Sequence, residues 1–231
     1  MSIGAVMNTL ALLDETFRPV AGRRILDIGC GGGLLAAALI KRGAVVVGID
    51  PDPDAVATAR TKAPDATVLR HPAEALPFAD ASFDGCVFLN SLHHVPAQAM
   101  AQALTEASRV AGASRPVVVI EPLAEGSFFE AFLPVEDETE VRALAQGAID
   151  AALAGGLLVQ KHAVIFERVE RFASLEAFLA AVTAGDPARI AAAAAHADAV
   201  AAAFARVAVL SPDGRFALHQ PLLARVLEAA A

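Results

Sequence analysis

Short apolar runs and amphipathic stretches alternate along the first half of the chain. Five runs rich in β-branched or apolar residues predict strands, over residues 24–28, 45–49, 67–70, 83–89 and 116–120. The stretches between them predict helices that end near Gly or Pro, over residues 34–42, 53–62 and 97–110. Because strands that alternate with helices assemble into parallel sheets, the pattern predicts a doubly wound α/β fold.

After Glu121 the pattern changes to helices rich in Phe and Ala. Helices are predicted over 126–133, 136–154, 175–183 and 187–208, strands over 157–168 and 215–218, and a short helix at the end. An amphipathic helix is also predicted over 3–13. Because we find no linker or repeat, we expect a single domain over residues 1–231. Residues 1–122 would bind a cofactor, and residues 123–231 would supply substrate-side helices, a lid and the closing strands.

Composition narrows the class of protein. The apolar share of 56% includes much alanine and neither Trp nor Tyr, so high hydropathy does not by itself indicate a membrane protein. The Ala-rich stretch 189–209 is interrupted by His196, Asp198 and Arg206, which disfavours a membrane-spanning helix. The N-terminal apolar stretch has no basic leader and runs into Asp14 and Glu15, unlike a signal peptide. We therefore expect a cytoplasmic protein without a membrane partner.

Charge and cysteine content exclude two further classes. A net charge of −8 with scattered basic residues disfavours a nucleic acid partner, because phosphate backbones would be repelled. The two cysteines, Cys30 and Cys86, form no CxxC pair, so they indicate reduced thiols rather than a zinc site. We expect a small-molecule substrate, no metal, and a monomer or homodimer.

A glycine-rich loop follows the first predicted strand and leads into a helix that begins at Leu34. This strand, turn and helix context is the one in which a nucleotide-type ligand binds. Glycine permits the positive φ of a tight turn, and the missing Cβ lets a ligand approach the backbone of Gly29 and Gly31. The dinucleotide pattern GxGxxG would need glycine at position 34, so NAD is less favoured than another adenosine cofactor.

Asp50 closes the second predicted strand, beside the glycine loop at the carboxyl edge of the sheet. A carboxylate is a pure acceptor and can take both hydroxyls of a ribose. The alternative is that Asp50 caps the next helix, but Asp52 or Asp54 can serve as that cap equally well. We favour the ribose role for Asp50.

Four segments in this order, residues 25–33, 47–50, 73–84 and 91–95, resemble class I methyltransferases of the ubiquinone/menaquinone-biosynthesis type, methyltransferase type 11. The resemblance covers about residues 22–122. It implies a Rossmann-like seven-stranded sheet with an antiparallel last strand, and S-adenosylmethionine as cofactor with S-adenosylhomocysteine as product. It also implies the cofactor-binding residues: Asp27, Gly29, Cys30, Gly31 and Gly33 for the methionine moiety, Asp50 and Pro51 for the ribose, Ala73 and Glu74 beside adenine, and Asn90 near the amino group.

One departure from the family pattern concerns adenine. The family usually carries Asp before the Ala-Glu pair, whereas this chain has His71 and Pro72. The contact to the adenine amine is therefore lost or transferred to Glu74 or to a backbone group.

Methyl transfer is an in-line displacement from a good leaving group, so the protein mainly aligns the nucleophile and excludes water. Where the acceptor must lose a proton, a base is needed, and His93, His94 and Glu121 follow or end neighbouring predicted strands. The alternative is that one histidine caps the turn after it or bonds to backbone. A metal site from these three residues is disfavoured, because adjacent histidines seldom converge on one ion.

Phe128, Phe129 and Phe132 lie on one predicted helix and would either line an apolar acceptor pocket or belong to the core. We therefore expect an enzyme that methylates a small, at least partly apolar metabolite. The alternatives are an NAD-dependent oxidoreductase and a non-catalytic S-adenosylmethionine-binding regulatory protein.

Overall fold

A computed structural model describes residues 8–230 of the chain. Within that range the strands are β1 (Arg24–Ile28), β2 (Val45–Asp50), β3 (Thr67–Arg70), β4 (Gly85–Leu89), β5 (Pro116–Pro122), β6 (Leu158–Phe172), β7 (Val209–Leu210) and β8 (Phe216–Ala229). The helices are α1 (Thr9–Thr16), α2 (Leu34–Ile40), α3 (Pro53–Lys62), α4 (Met100–Ala111), α5 (Ser127–Phe132), α6 (Thr139–Ala154), α7 (Leu175–Val182), α8 (Pro187–Ala195) and α9 (Ala197–Val207). Two short 3₁₀ turns, Leu92–His94 and Ala97–Ala99, precede α4.

The strands form one sheet in the order β3-β2-β1-β4-β5-β8-β6, and β7 pairs with β8. The pairs β1–β2, β1–β4, β2–β3 and β4–β5 are parallel, and β7–β8 is antiparallel. The predicted Rossmann-like α/β fold with a mostly parallel sheet is thus confirmed. Because the chain order reverses between β1 and β4, their carboxyl ends open a crevice at which ligands bind in folds of this type.

The five strands predicted in the first half are confirmed, with ends that differ by at most two residues. β1 and β4 read as near-continuous apolar runs because helices cover both faces of a parallel sheet. The core around them buries Leu26, Ile28, Cys86 and Phe88 completely. The buried central strands therefore form a rigid support for the polar residues at their carboxyl ends.

Two predictions for the second half are wrong. The expected final helix is instead the continuation of β8, which runs to Ala229. Residues 222–229 include good helix formers, but Leu222, Ala224 and Leu227 are buried within a strand between β5 and β6, so tertiary pairing overrides local propensity. The single helix expected over 187–208 is two helices, α8 and α9, which meet at His196 with a bend of 86°.

The N-terminal helix begins at Thr9, and the earlier part of its predicted range lies outside the described residues. Among residues 8–230, no individual helix combines the length and the apolarity that crossing a membrane requires. The bent pair of α8 and α9 meets that requirement only when its two helices are taken together.

Contacts divide the described part of the chain into two compact units. The first unit comprises residues 8–121, Leu144–Val164 and residues 223–230, and the second comprises Pro122–Ala143 and Ile165–Leu222. Each unit has its own apolar core. The second unit's core is aromatic, with Phe132, Phe178 and Phe204 among its buried members.

Candidate functional site

A cavity of about 760 Å³ lies in the first unit at the carboxyl ends of β1, β2 and β4. Nine of the ten residues predicted to bind the cofactor line it, and these are Asp27, Gly29, Cys30, Gly31, Asp50, Pro51, Ala73, Glu74 and Asn90. The tenth, Gly33, does not. Its α-carbon packs on α3, where an added Cβ would lie 2.9 Å from the Cα of Ala59. Gly33 therefore acts on the packing of two helices rather than on the cavity wall.

The glycine loop has the backbone conformation that the sequence predicts. Gly29 and Gly31 have φ values of 72° and 49°. A Cβ at Gly29 would lie 2.5 Å from the Cβ of Ser91, so this glycine is required by the protein itself. A Cβ at Gly31 would meet nothing within 4 Å and would stand at the cavity wall. Gly31 thus leaves open a space that a ligand can fill.

Asp50 holds the glycine loop and keeps acceptor capacity for a ligand. Its Oδ2 accepts the N–H of Gly31 at 2.9 Å, and its Oδ1 accepts the N–H of Asp52 at 2.9 Å. Each carboxylate oxygen has a second lone pair, which suits the two hydroxyls of a ribose. The helix cap is Asp52, whose Oδ1 accepts the N–H of Asp54 at the start of α3. The alternative capping role for Asp50 therefore does not arise.

Two buried acceptor oxygens in the cavity wall have no hydrogen-bond partner. They are Oδ2 of Asp27 and Oδ1 of Asn90. Asn90 has a φ of 52°, which Asn tolerates better than most residues, and its N–H donates to the carbonyl of Ile120 at 2.8 Å. An unpaired buried acceptor is costly unless a donor reaches it, so the pair indicates a ligand that presents N–H groups.

Burial raises the pKa of Asp27 from 3.8 to about 7, and the charge of Asp50 adds to that rise. The same two carboxylates and, above all, burial raise the pKa of the Cys30 thiol to about 12. Cys30 is therefore a neutral thiol that contributes to the wall and is not a nucleophile. A ligand carrying positive charge would offset the two neighbouring carboxylates.

Ala73, Glu74, His71 and Pro72 form the side of the cavity that follows β3. Sequence reasoning missed the residues that hold this segment. Glu106 on α4 accepts the N–H of Leu76 at 2.8 Å, and Arg109 donates to the carbonyl of Phe78 at 2.7 Å. The i, i+3 spacing of Glu106 and Arg109 on one helix face could have predicted an ion pair. It could not have predicted that the pair holds the segment after β3.

The three predicted base residues occupy different positions. His94 is exposed and lines the cavity, whereas His93 and Glu121 are buried and do not line it. The Glu121 carboxylate pairs with Nδ1 of His93 and accepts the N–H groups of Ser91 and Leu92 at 3.0 and 2.8 Å. The His93 and His94 ring centroids are 4.0 Å apart. Glu121 thus ties the turn that presents His94 to the end of β5.

The three phenylalanines of α5 fit the core alternative. Phe132 is buried and Phe128 packs against the core of the second unit, where the rings of Phe128 and Phe178 are 5.8 Å apart. Phe129 is buried under the guanidinium of Arg142 at 4.7 Å. These rings are accounted for by packing within their own unit.

Residues 26–113 match the family model described as a methyltransferase domain. A ubiquinone biosynthesis O-methyltransferase from Azorhizobium caulinodans is 43% identical over 85 residues, which are 35% of this chain and 34% of that protein. The match thus spans about a third of the length of this curated relative. The resemblance drawn from the four sequence segments is confirmed over this part of the chain.

Solved structures of the same fold extend over nearly the whole chain. An S-adenosyl-L-homocysteine complex of a SAM-dependent methyltransferase from Geobacter sulfurreducens has a TM-score of 0.59 at 13% identity, covering 97% of this chain and 92% of its own. The YcgJ protein of Bacillus subtilis has a TM-score of 0.61 at 21% identity, covering 96% and 98%. At these identities the similarity shows the fold alone.

Proposed function

We propose that this chain, whose residues 26–113 match a methyltransferase domain, transfers a methyl group from S-adenosylmethionine to a small molecule. The observation that carries the proposal is the cavity beside the glycine loop, with Asp50 at one end and the unpartnered oxygens of Asp27 and Asn90 in its wall. These groups are hydrogen-bond acceptors and carboxylates, so a complementary ligand would carry donors, positive charge and ribose hydroxyls. S-adenosylmethionine offers all three.

The residues present fit this cofactor. Asp50 would take the ribose hydroxyls, Asp27 and Asn90 would accept from the α-ammonium, and Gly31 would leave room for the ligand backbone. Ala73 and Glu74 would border adenine. When bound, S-adenosylmethionine supplies a methyl group on a sulfonium, which needs alignment rather than activation.

His94 is our proposed general base for the acceptor. It is exposed at the cavity wall, and an imidazole titrates near neutral pH. His93 and Glu121 would position it rather than remove a proton themselves, because both are buried behind the turn. The pair would therefore hold the His94 ring in position while leaving it accessible from the cavity.

An acceptor that is at least partly apolar fits the remaining wall. The apolar side chains that line the cavity include Leu34, Leu35, Phe88, Leu89, Val95 and Pro96. Leu34 begins α2 and is 71% exposed at the cavity. Covering such a side chain with a ligand would release ordered water and favour binding.

The proposal is tested by calorimetric titration of the purified chain with S-adenosylhomocysteine, S-adenosylmethionine and NADH. We expect heat with the first two and none with NADH. Asp50→Asn should weaken binding of both adenosyl ligands by at least about tenfold, since a ribose loses a charged acceptor. Asp213→Asn, on an exposed turn of the second unit, is the matched control.

Transfer is then measured with radiolabelled cofactor across hydroxyl, amine and acidic-carbon acceptors of graded apolarity. Label in a product supports an enzyme. Binding of S-adenosylhomocysteine with no transfer to any acceptor would favour the regulatory alternative, and heat with NADH alone would overturn the proposal.

A further inference from the structure

β6 is the last strand of the sheet in the part of the chain that the structure describes. It runs for 15 residues and pairs on one side with β8. Several side chains along it are well exposed, with Ile165 at 57% and the Glu167 side chain at 54%, whereas Phe166 and Phe172 are buried. A long terminal strand presents unpaired N–H and C=O groups, which template pairing with another strand.

The second-unit portion of β6 contains a sequence with internal symmetry. Residues 166–172 read Phe-Glu-Arg-Val-Glu-Arg-Phe, which we call the symmetric segment. Two copies placed antiparallel, with Val169 opposite Val169, bring Phe166 of one copy opposite Phe172 of the other. Such a pairing has a two-fold axis through the Val169 pair, as an isologous dimer requires.

In that register every charged residue of the segment meets an opposite charge. Glu167 lies opposite Arg171 of the second copy, and Arg168 lies opposite Glu170, each pair occurring twice. Glu167 and Arg171 share one face of the strand, and Arg168 and Glu170 share the other, because strand residues alternate. Opposite charges directly across a strand pair are favourable on both faces.

Neighbouring registers are excluded by the same charges. A shift of one residue sets Glu167 opposite Glu170 or Arg168 opposite Arg171. A shift of two sets Arg168, or Glu170, opposite its own copy. Parallel in-register pairing would align like charges along the whole segment. Like charges directly opposite are destabilising, so only the register centred on Val169 is complementary throughout.

We propose that the symmetric segment is a self-pairing edge through which two copies of this chain form an antiparallel dimer. The partner is a second copy, because the complementarity is of the sequence with its own reverse. Within one chain, Arg168 and Glu170 form an ion pair at 2.9 Å on the same face. Glu167 and Arg171 are four residues apart on an extended strand, too far for a direct contact. Within one chain the Glu167 carboxylate faces Nδ1 of His219 at 3.9 Å, and the second copy would bring the guanidinium of Arg171 opposite it.

The first experiment measures association by sedimentation velocity on the full chain with Glu167→Arg and with Arg171→Glu. The wild type should show a concentration-dependent dimer that weakens at high salt, since exposed charges are screened. Each variant alone places like charges in two cross-strand pairs and should dimerise about tenfold or more weakly. Mixed together, the two variants regain opposite charges in both pairs and should form a heterodimer.

The second experiment crosslinks the strands through introduced cysteines. Val169→Cys would face its own copy at a Cα separation of about 4.5–5.5 Å, within disulfide range. Ile165→Cys, exposed on the same strand, would lie about 26 Å from its own copy at about 3.3 Å per residue. Oxidation should link the first variant and leave the second unlinked. The native cysteines are buried and do not compete.

A wild type that stays monomeric at every concentration would overturn the proposal, and would instead make the charges a barrier to edge pairing. A dimer that survives both charge reversals, or that crosslinks at residue 165 and not at 169, would place the interface elsewhere. Melting curves of each variant establish that it is folded before association is judged.

Discussion

Buried charge around Asp27 in the first unit differs from buried charge around Arg142 in the second. In the first unit, Asp27 is 1% exposed and one of its oxygens has no partner. In the second, Glu138 and Arg142 are each 5% exposed and form a two-point ion pair, with Nε and Nη2 of Arg142 at 3.0 and 2.7 Å from one carboxylate oxygen. A buried polar group without a partner lowers stability, and a bound ligand that pairs with it removes that cost. A fully paired buried network instead stabilises the fold. Chemistry is therefore expected around Asp27 and scaffolding around Arg142.

The largest expected effect concerns turnover in the first unit. His94→Ala should lower kcat by about a hundredfold to ten-thousandfold with an acceptor that must lose a proton, the usual contribution of a general base. Affinity for S-adenosylhomocysteine should change by less than about threefold. His196→Ala, exposed in the second unit, should leave both unchanged. A wild-type kcat in the His94 variant would remove the base assignment.

The next effect tests the contribution of the buried Glu138–Arg142 pair to stability. Arg142→Met should lower the free energy of unfolding by about 1–3 kcal/mol, because Glu138 would lose one charged partner and keep Arg189 at 3.0 Å. The matched control is Arg206→Met, whose pair with Glu130 is exposed and should contribute less than about 1 kcal/mol. Urea denaturation measures both. Equal losses in the two variants would mean that burial does not distinguish these pairs.

A smaller effect distinguishes the cost of backbone strain at a glycine from the loss of space for a ligand. Gly31→Ala and Gly214→Ala both place a side chain at positive φ with no atom within 4 Å of the new Cβ. Each should cost about 1–2 kcal/mol of stability. Only the first, at the cavity wall, should also weaken S-adenosylhomocysteine binding, by about tenfold or more. Calorimetry and thermal melts together resolve the two contributions. Comparable binding by the two variants would argue against a ligand at Gly31.

The last effect is a pH dependence at Asp27. Its folded pKa of about 7 lies above the ordinary value of 3.8, so the folded protein holds this proton more tightly than the unfolded chain does. The resulting stability is present below pH 3.8 and is lost as pH rises to about 7.

Cofactor affinity has the opposite pH dependence, because a cationic ligand favours the ionised carboxylate. S-adenosylhomocysteine binding should weaken by up to about tenfold per unit as pH falls below 7. Asp27→Asn should remove this slope and raise stability at pH 8. Calorimetry between pH 5.5 and about 8.5 measures the affinity. An unchanged slope in the variant would assign it to another group.

Local sequence patterns were enough to locate the first half of the fold and most of the cavity wall. Strand periodicity, stop signals and the glycine loop are local properties, so β1 to β5 could be located without coordinates, and nine of the ten residues predicted to bind the cofactor line the cavity. The motif also indicated which edge of the sheet those residues share, since parallel strands end together.

Which groups meet could be read only from the folded chain. It paired His93 with Glu121 and left His94 in the cavity wall, although adjacent histidines look equivalent in sequence. It converted residues 222–229 from a plausible helix into a buried strand, and it divided the chain into units that interleave along the sequence. The physical reason is that burial and pairing depend on neighbours distant in the chain, and these outweigh local preferences of a few tenths of a kcal/mol per residue.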